Sequence, residues 1–434
     1  MLKLCIVATF FLFSADTFAQ STKNLTLKDA VGLAVRNSHL LRSDQAKVAG
    51  AAASVKQAEQ DLLPSLGVSG SYLRINHPNI SAPKNNNNSG NSNTLNISQA
   101  AYGILSASYP IYAGGKLKFG IESARYLEEA TKLDAENDKE SVILNTINAY
   151  TNLFKARAMV DLLTESLASS MYRDTTFSHL ETNGLLARNE LLKSTLQTSN
   201  IELSLLDAES NLKLAIINVD LMLGLPENTL LVPDSGSIRQ NFELKNIEDY
   251  ETAALQHRKD IQAIALRKKA ASTNIKSARA ESSPNIALTA GYIAAYVPNF
   301  ITITNAINLG IGIQYNLASL WRTNTKLLQA KAMEEGLQSN EQQLNDAVRL
   351  QVNQEYQEYV SLQKKIEVYT KALYQATENY RITKNKYDNS LVTTTELLDA
   401  DVAQLQSRLN LALVKIDAMT AYNKLLQAAG LLNY

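Results

Sequence analysis

The sequence predicts a mainly α protein, assembled from two tandem copies of one unit, with a small membrane β-barrel that several chains complete together. Three observations carry this prediction. Two helical stretches are too long for a compact domain, an internal repeat runs through almost the whole chain, and four short segments of alternating apolar and polar residues recur at matching positions.

The 434 residues contain Lys+Arg 42 and Asp+Glu 42. A chain without net charge lacks the basic surplus of a nucleic-acid binder. Ala, Leu, Gln, Asn, Lys and Glu dominate the helical stretches, a coiled-coil composition rather than that of an enzyme with a dense mixed core. Residues 1–19 read as a secretory signal: Lys3 supplies charge, Leu4 to Phe13 an apolar run, and Thr17-Phe18-Ala19 a small-x-small cleavage pattern. The run is too short to span a bilayer as a helix. Cys5, the only cysteine, lies inside this segment, so the mature chain is expected to hold neither disulfide nor thiolate metal site. No later stretch approaches the 18 apolar residues of a transmembrane helix.

The first repeat, residues 20–225, opens with a helix predicted from Leu25 to Asp61, stopped ahead of Pro64. Two strands follow, around Ser65 to Tyr72 and Leu105 to Ile111. A rod then runs from Lys116 to Asn183, with Ile143, Ile147, Tyr150 and Phe154 on one face, roughly 100 Å long at 1.5 Å per residue. After a turn at Asn183-Gly184, a helix returns to Gly224. A linker, residues 226–246, carries Pro226, Pro233 and Gly236. The second repeat, residues 247–434, has a helix from Ile247 to Glu281, strands from Asn285 to Tyr296 and Leu309 to Leu317, and a rod from Arg322 to Asn389. Val352, Tyr356, Tyr359, Ile366, Tyr369, Leu373, Ala376 and Tyr380 form its buried stripe. A turn at Asn389-Ser390 leads to the last helix.

The two copies align without gaps on either side of one insertion. Leu27 to Tyr72 pair with Ile247 to Tyr292 at an offset of 220 residues, and Tyr109 to Gly224 pair with Tyr315 to Gly430 at an offset of 206. The change falls between Tyr72 and Tyr109, in an Asn/Ser-rich insertion that includes Asn85 to Asn88 and reads as a surface loop.

The strands alternate cleanly. Leu66, Val68 and Tyr72 face one way and Ser65, Ser69 and Ser71 the other. Ile286, Leu288, Ala290, Tyr292 and Tyr296 keep the same phase. Leu105, Ala107, Tyr109 and Ile111 alternate with serines, and Leu309, Ile311, Ile313, Tyr315 and Leu317 with Gly310, Gly312, Gln314 and Asn316. Such runs are the signature of membrane-barrel strands; a half-buried soluble hairpin is the alternative for any single one. Four strands cannot enclose a lumen, and lipid does not tolerate an open edge. The chain is therefore expected to oligomerise, each copy lending two hairpins to a shared barrel.

With these features the sequence resembles the TolC-type outer-membrane efflux channel family, the outer membrane factors of tripartite efflux and secretion systems. The resemblance rests on the tandem repeat, on Tyr109-Pro110-Ile111-Tyr112-Ala113-Gly114-Gly115-Lys116, and on two helix tips. The tips Asn183-Gly184-Leu185 and Asn389-Ser390-Leu391 precede Glu190-Leu191-Leu192 and Glu396-Leu397-Leu398-Asp399-Ala400. The second half departs from the pattern, with Leu320-Trp321 in place of the two glycines and Ser390 in place of the turn glycine. The resemblance implies a homotrimer with a twelve-stranded barrel in the outer membrane and a trimeric α-barrel extending into the periplasm. It implies docking to a periplasmic adaptor (a membrane fusion protein) and an inner-membrane transporter, whose substrates the channel conducts passively to the exterior.

Glu396 and Asp399 lie three apart on one helix face just past a tip, so copies from each chain would ring the lumen; carboxylate rings select and bind cations. The resemblance makes them the pore gate, although acids at a helix N-terminus also simply complement its dipole. It makes Tyr387, Glu190, Arg188 and Lys193 a closed-state latch, and Gly184, Leu185, Ser390 and Leu391 the adaptor-docking tips. Tyr72, Tyr109, Tyr292 and Tyr315 read either as an interfacial aromatic girdle or as simple strand packing. The histidines His39, His77, His179 and His257 are scattered, without metal-ligand spacing, and no phosphate loop occurs. No cofactor, metal, nucleic acid or catalytic site is expected, and energy for transport must come from a partner. The rival reading is a periplasmic adaptor or structural coiled-coil protein; adaptor hairpins, however, are flanked by small soluble β-domains, and a two-fold repeat with paired strands is unexpected there.

Overall fold

The computed structural model describes residues 22–76, 97–227, 229–234, 244–298 and 300–434. The signal segment, the Asn/Ser-rich insertion with Asn85 to Asn88, and most of the linker lie outside them. The described residues are mainly helical, with a small antiparallel sheet, as expected. One element order occurs twice. The first pass is β1 (Thr22–Leu25), α1 (Leu27–Asn37), α2 (His39–Gln60), β2 (Ser65–Arg74), β3 (Gln99–Tyr112), α3 (Lys116–Thr182) and α4 (Arg188–Leu223). The second is β4 (Leu230–Pro233), α5 (Ile247–His257), α6 (Lys259–Ala280), β5 (Asn285–Val297), β6 (Ile301–Gln314), α7 (Thr325–Asp388) and α8 (Thr394–Ala428). Among the described residues no helix is long and apolar enough to cross a membrane.

Two compact units cut across the repeats. Of the described residues, one holds 22–41, 138–227, 229–234, 244–254 and 350–434, the other 42–76, 97–137, 255–298 and 300–349. The first is packed around Leu25, Val31, Ile147, Tyr150, Leu153, Leu223 and Met419. Tyr150 is wholly buried; its hydroxyl donates to the Leu25 carbonyl at 2.9 Å and accepts from the Asp234 amide at 3.0 Å. That one side chain ties α3 to β1 and to the residue that follows β4, its parallel partner strand. The α7 stripe packs here too, with Val352 and Tyr359 buried and Tyr359 against Tyr422, ring centroids 5.3 Å apart.

The second unit holds the sheet, in the order β2-β3-β5-β6. Directly opposed residues in an antiparallel pair share a face, so the register sorts every side chain. The row Val68, Leu105, Tyr292, Ile307 and the row Leu66, Ala107, Ala290, Leu309 lie on one face; Gly67, Ser106, Gly291 and Asn308 lie on the other. The apolar face is open: Val68 is 84% exposed and Ile307 79%. Among the described residues, both outer strands, β2 and β6, have one unpaired edge.

Several element boundaries differ from those expected. The helices predicted from Leu25 and Ile247 are each broken, at Ser38 and Arg258, equivalent positions with non-helical ψ of 121° and 130°. Ser38 restarts its helix by accepting the Leu41 amide at 3.3 Å. Ile111 sits at a bulge, so Tyr112 rather than Ile111 pairs with Ile286 and continues the apolar row. The strand predicted from Leu309 to Leu317 runs instead from Ile301 to Gln314, and Leu317–Leu320 forms a 3-10 turn before α7. The linker contributes β4, which period-2 reasoning cannot detect in four residues.

Candidate functional site

The two helix tips carry the residues singled out by sequence, and they are built alike. The α3–α4 turn spans 183–187 and the α7–α8 turn 389–393. Gly184 adopts φ 72° and Ser390 φ 56°, the left-handed conformation that ends a helix. The Leu185 amide donates to the Leu180 carbonyl at 2.8 Å, and the Leu391 amide to the Lys386 carbonyl at 2.9 Å. Asn183 Nδ2 reaches the His179 carbonyl at 2.7 Å, and Asn389 Nδ2 the Asn385 carbonyl at 2.7 Å. Each turn holds a leucine out to solvent, Leu185 at 76% exposure and Leu391 at 73%.

The caps differ. Thr393 forms a capping box with Glu396: the Glu396 amide donates to Thr393 Oγ1 at 3.3 Å, and the Thr393 amide donates to Glu396 Oε2 at 2.8 Å. The Thr393 amide foremost, and then the Thr393 hydroxyl, which also donates to Glu396 Oε2 at 3.0 Å, hold the Glu396 carboxyl below its usual range. Asp399 is exposed one turn further on. The equivalent cap of α4 is Ala187, which has no capping side chain. Glu190 is therefore free to turn elsewhere. It accepts from Lys193 at 3.0 Å and from Asn189 at 3.1 Å, and also bonds Thr394; the Lys193 bond, foremost, lowers its pKa.

Tyr387 and Glu190 meet at one residue. The Tyr387 hydroxyl lies 3.4 Å from Thr394 Oγ1, the side chain Glu190 also reaches, and Thr394 is buried. Lys193 Nζ donates to Thr395 Oγ1 at 3.3 Å, a second tie between α4 and α8. Arg188 is not part of this group; it pairs with Glu181 of its own hairpin at 3.5 Å. An open groove of 620 Å³ between the tips is lined by Leu185, Glu190, Tyr387, Ser390, Thr393 and Thr394, among others. Among the described residues no group of His, Cys, Asp or Glu side chains has metal-holding geometry.

Three features escape sequence reasoning. Phe177 is buried and stacks on Tyr387, centroids 5.6 Å apart. Thr394 is hidden in a run of three threonines. Further from the tips, Arg173 is 9% exposed; it donates to Asp401 at 2.7 Å and to Ser170 at 2.8 Å, while Ser194 bonds Asp174 at 2.5 Å. The internal repeat does not reveal this cluster, because the residues equivalent to Arg173 and Asp401 are Asn379 and Thr195, both uncharged.

Comparison with known proteins agrees with this architecture. Residues 30–225 and 252–431 match the family described as outer membrane efflux protein. Among solved structures, CusC aligns with a TM-score of 0.79 at 21% identity, covering 93% of this chain and 92% of that one. VceC from Vibrio cholerae aligns at 0.77 and 18% identity, covering 93% and 96%. The Campylobacter jejuni CmeC outer membrane channel aligns at 0.76 and 19% identity, covering 94% and 86%. At these identities the likeness is one of fold. Among curated proteins no sequence matches.

Proposed function

Because the chain belongs to the outer membrane efflux protein family, we propose that three copies join their sheets edge to edge into one twelve-stranded barrel in the outer membrane. The family is one of transport channels rather than enzymes. In this reading the helical barrel extends into the periplasm and receives substrates from an inner-membrane transporter through a periplasmic adaptor. The trimer then conducts them passively to the exterior. The observation that carries the reading is the strand register, which collects apolar side chains on one open face, small and polar ones on the other, and leaves β2 and β6 each with an unpaired edge. Lipid accepts such a sheet only when its edges are closed by other strands.

In the same reading the exposed Leu185 and Leu391, presented by Gly184 and Ser390, are the adaptor contacts. Glu396 and Asp399 ring the narrow end of the lumen as a gate. Tyr387, Glu190 and Lys193, gathered on Thr394 and Thr395, hold the closed state, while Arg188 stiffens the first tip through Glu181. The test is fractionation followed by conductance. The protein is expected in the outer membrane as a heat-modifiable oligomer that opens channels in planar bilayers. Replacing Glu396 and Asp399 together with alanine is expected to raise conductance and abolish block by multivalent cations. A soluble monomer in periplasmic extract would refute the channel; unchanged conductance and block would refute the gate alone. Cross-linking from a photoreactive residue at Leu185 to an adaptor checks the docking tip.

A further inference from the structure

The end of the sheet nearest the helices has a chemistry that conduction does not use. Trp321, the only tryptophan of the chain, is 72% exposed between the 3-10 turn and α7. Leu317, in that turn, is 61% exposed. Leu63, just ahead of β2, is also 61% exposed, and Tyr112 at the end of β3 is exposed. Trp321, Leu317 and Leu63 lie just past the last paired strand positions, Ser65 with Ser108 and Asn285 with Gln314. Leu63 lies at one edge of the sheet and Leu317 with Trp321 at the other, but all three sit at the same end, and solvated tryptophan and leucine so placed mark a binding surface.

Cations stand next to them. Lys116 and Lys326 share the Glu281 carboxylate, at 3.0 and 2.9 Å. The Lys326 bond, foremost, holds that carboxyl below its usual range. Arg322 and Lys326 line a pocket of 290 Å³ with Ser282, Thr323, Thr325 and the Glu281 carboxylate itself. Three cations stand around one carboxylate there, so the patch keeps a positive surplus. The start of α7 is already capped, since Asn324 Oδ1 accepts the Leu327 amide at 3.0 Å; the attraction comes from side chains.

We infer that this patch is a headgroup site for an anionic phospholipid of the inner leaflet: Trp321, Leu317 and Leu63 enter the headgroup–acyl boundary while Arg322 and Lys326 take the phosphate. The inference rests on the membrane reading above and specifies the lipid. Tryptophan favours that boundary, and each nearby Lys or Arg adds to the attraction for anionic lipid.

The intact oligomer is reconstituted into vesicles of phosphatidylethanolamine with or without phosphatidylglycerol. Trp321 fluorescence is expected to be quenched more by lipid brominated near the headgroup than by lipid brominated near the chain end. Phosphatidylglycerol is expected to raise the temperature at which the oligomer dissociates. Arg322→Gln with Lys326→Gln should remove that rise, and Arg322→Lys with Lys326→Arg should keep it. An inserted, heat-modifiable oligomer whose Trp321 is not quenched, or whose dissociation ignores phosphatidylglycerol, overturns the inference and leaves the channel standing. Inorganic phosphate reproducing the rise in phosphatidylethanolamine vesicles also overturns it. A protein that never inserts defeats the channel reading instead.

Discussion

Ser390 adopts a backbone conformation that costs a residue with a Cβ, and its counterpart Gly184 shows what that position prefers. A Cβ at Gly184 would meet nothing within 4 Å, so only the backbone opposes it. Gly184→Ala is expected to destabilise by about 1 kcal/mol, and Ser390→Gly to stabilise by up to about 1 kcal/mol. Gly114 combines both obstacles. It has φ 62°, and a Cβ there would lie 2.5 Å from Ser283 Cβ and 2.8 Å from the Ala280 carbonyl oxygen. Gly114→Ala is therefore expected to cost more than Gly184→Ala, as read by thermal unfolding of the three variants; equal losses would show that backbone conformation alone matters at both sites. In the sequence Ser390 departs from the motif. The tip nonetheless closes in the same way, because the turn needs only two backbone hydrogen bonds and one left-handed residue. Asp220 is the residue whose environment is least legible in the sequence. It is fully buried near the end of α4, and neither carboxylate oxygen has a hydrogen-bond partner of good geometry. Burial pushes its pKa from 3.8 up to about 6, the Thr229 amide pulling the other way too weakly to offset it. The folded state thus holds this proton more tightly than the unfolded chain does. Its stability falls as pH rises from about 3.8 to about 6 and levels off above. Asp220→Asn is expected to stabilise by up to about 3 kcal/mol at neutral pH, and by little at pH near 4. Thermal midpoints across pH check this; a gain of the same size at both ends would put its cause elsewhere than in the charge.

At the scale of elements, the rods and strands are legible in the sequence because burial imposes their periods. Val352 and Tyr359 are buried on α7, and the alternating residues of all four long strands fall on one face by register. The breaks at Ser38 and Arg258 and the bulge at Ile111 are not legible, since each interrupts a pattern for one residue only. Nor is the Arg173–Asp401 pair, whose members are 228 residues apart in sequence. Removing one member leaves the other charge buried. Asp401→Asn is expected to cost about 3 kcal/mol or more, and Arg173→Met with Asp401→Leu to recover most of that. A double variant no better than the single would assign the loss to packing rather than to the stranded charge.

For the whole molecule, the decisive property is that the sheet has two chemically different faces and two open edges. If the apolar face meets lipid, charge there is costly whichever chain carries it. Ile311 is 68% exposed on that face, opposite Leu288, while Gly312 is on the other, opposite Ala287. A soluble protein would tolerate a lysine at so exposed a position as Ile311, since a solvated side chain gives up no buried contacts. In a membrane barrel a lysine on the lipid face costs about 2–4 kcal/mol per chain at the bilayer centre and less toward the strand ends, where Ile311 lies, and an oligomer repeats that cost in every copy. Gly312→Ser adds a hydroxyl to the face already lined by Ser106, Ser108 and Thr289. Its Cβ would lie 3.7 Å from Thr289 Cγ2, an ordinary contact. Ile311→Lys is therefore expected to abolish the heat-modifiable oligomer and its recovery from the outer membrane, and Gly312→Ser to preserve both. If the two variants assemble alike, the apolar face does not meet lipid, and the sheet must be covered by protein instead.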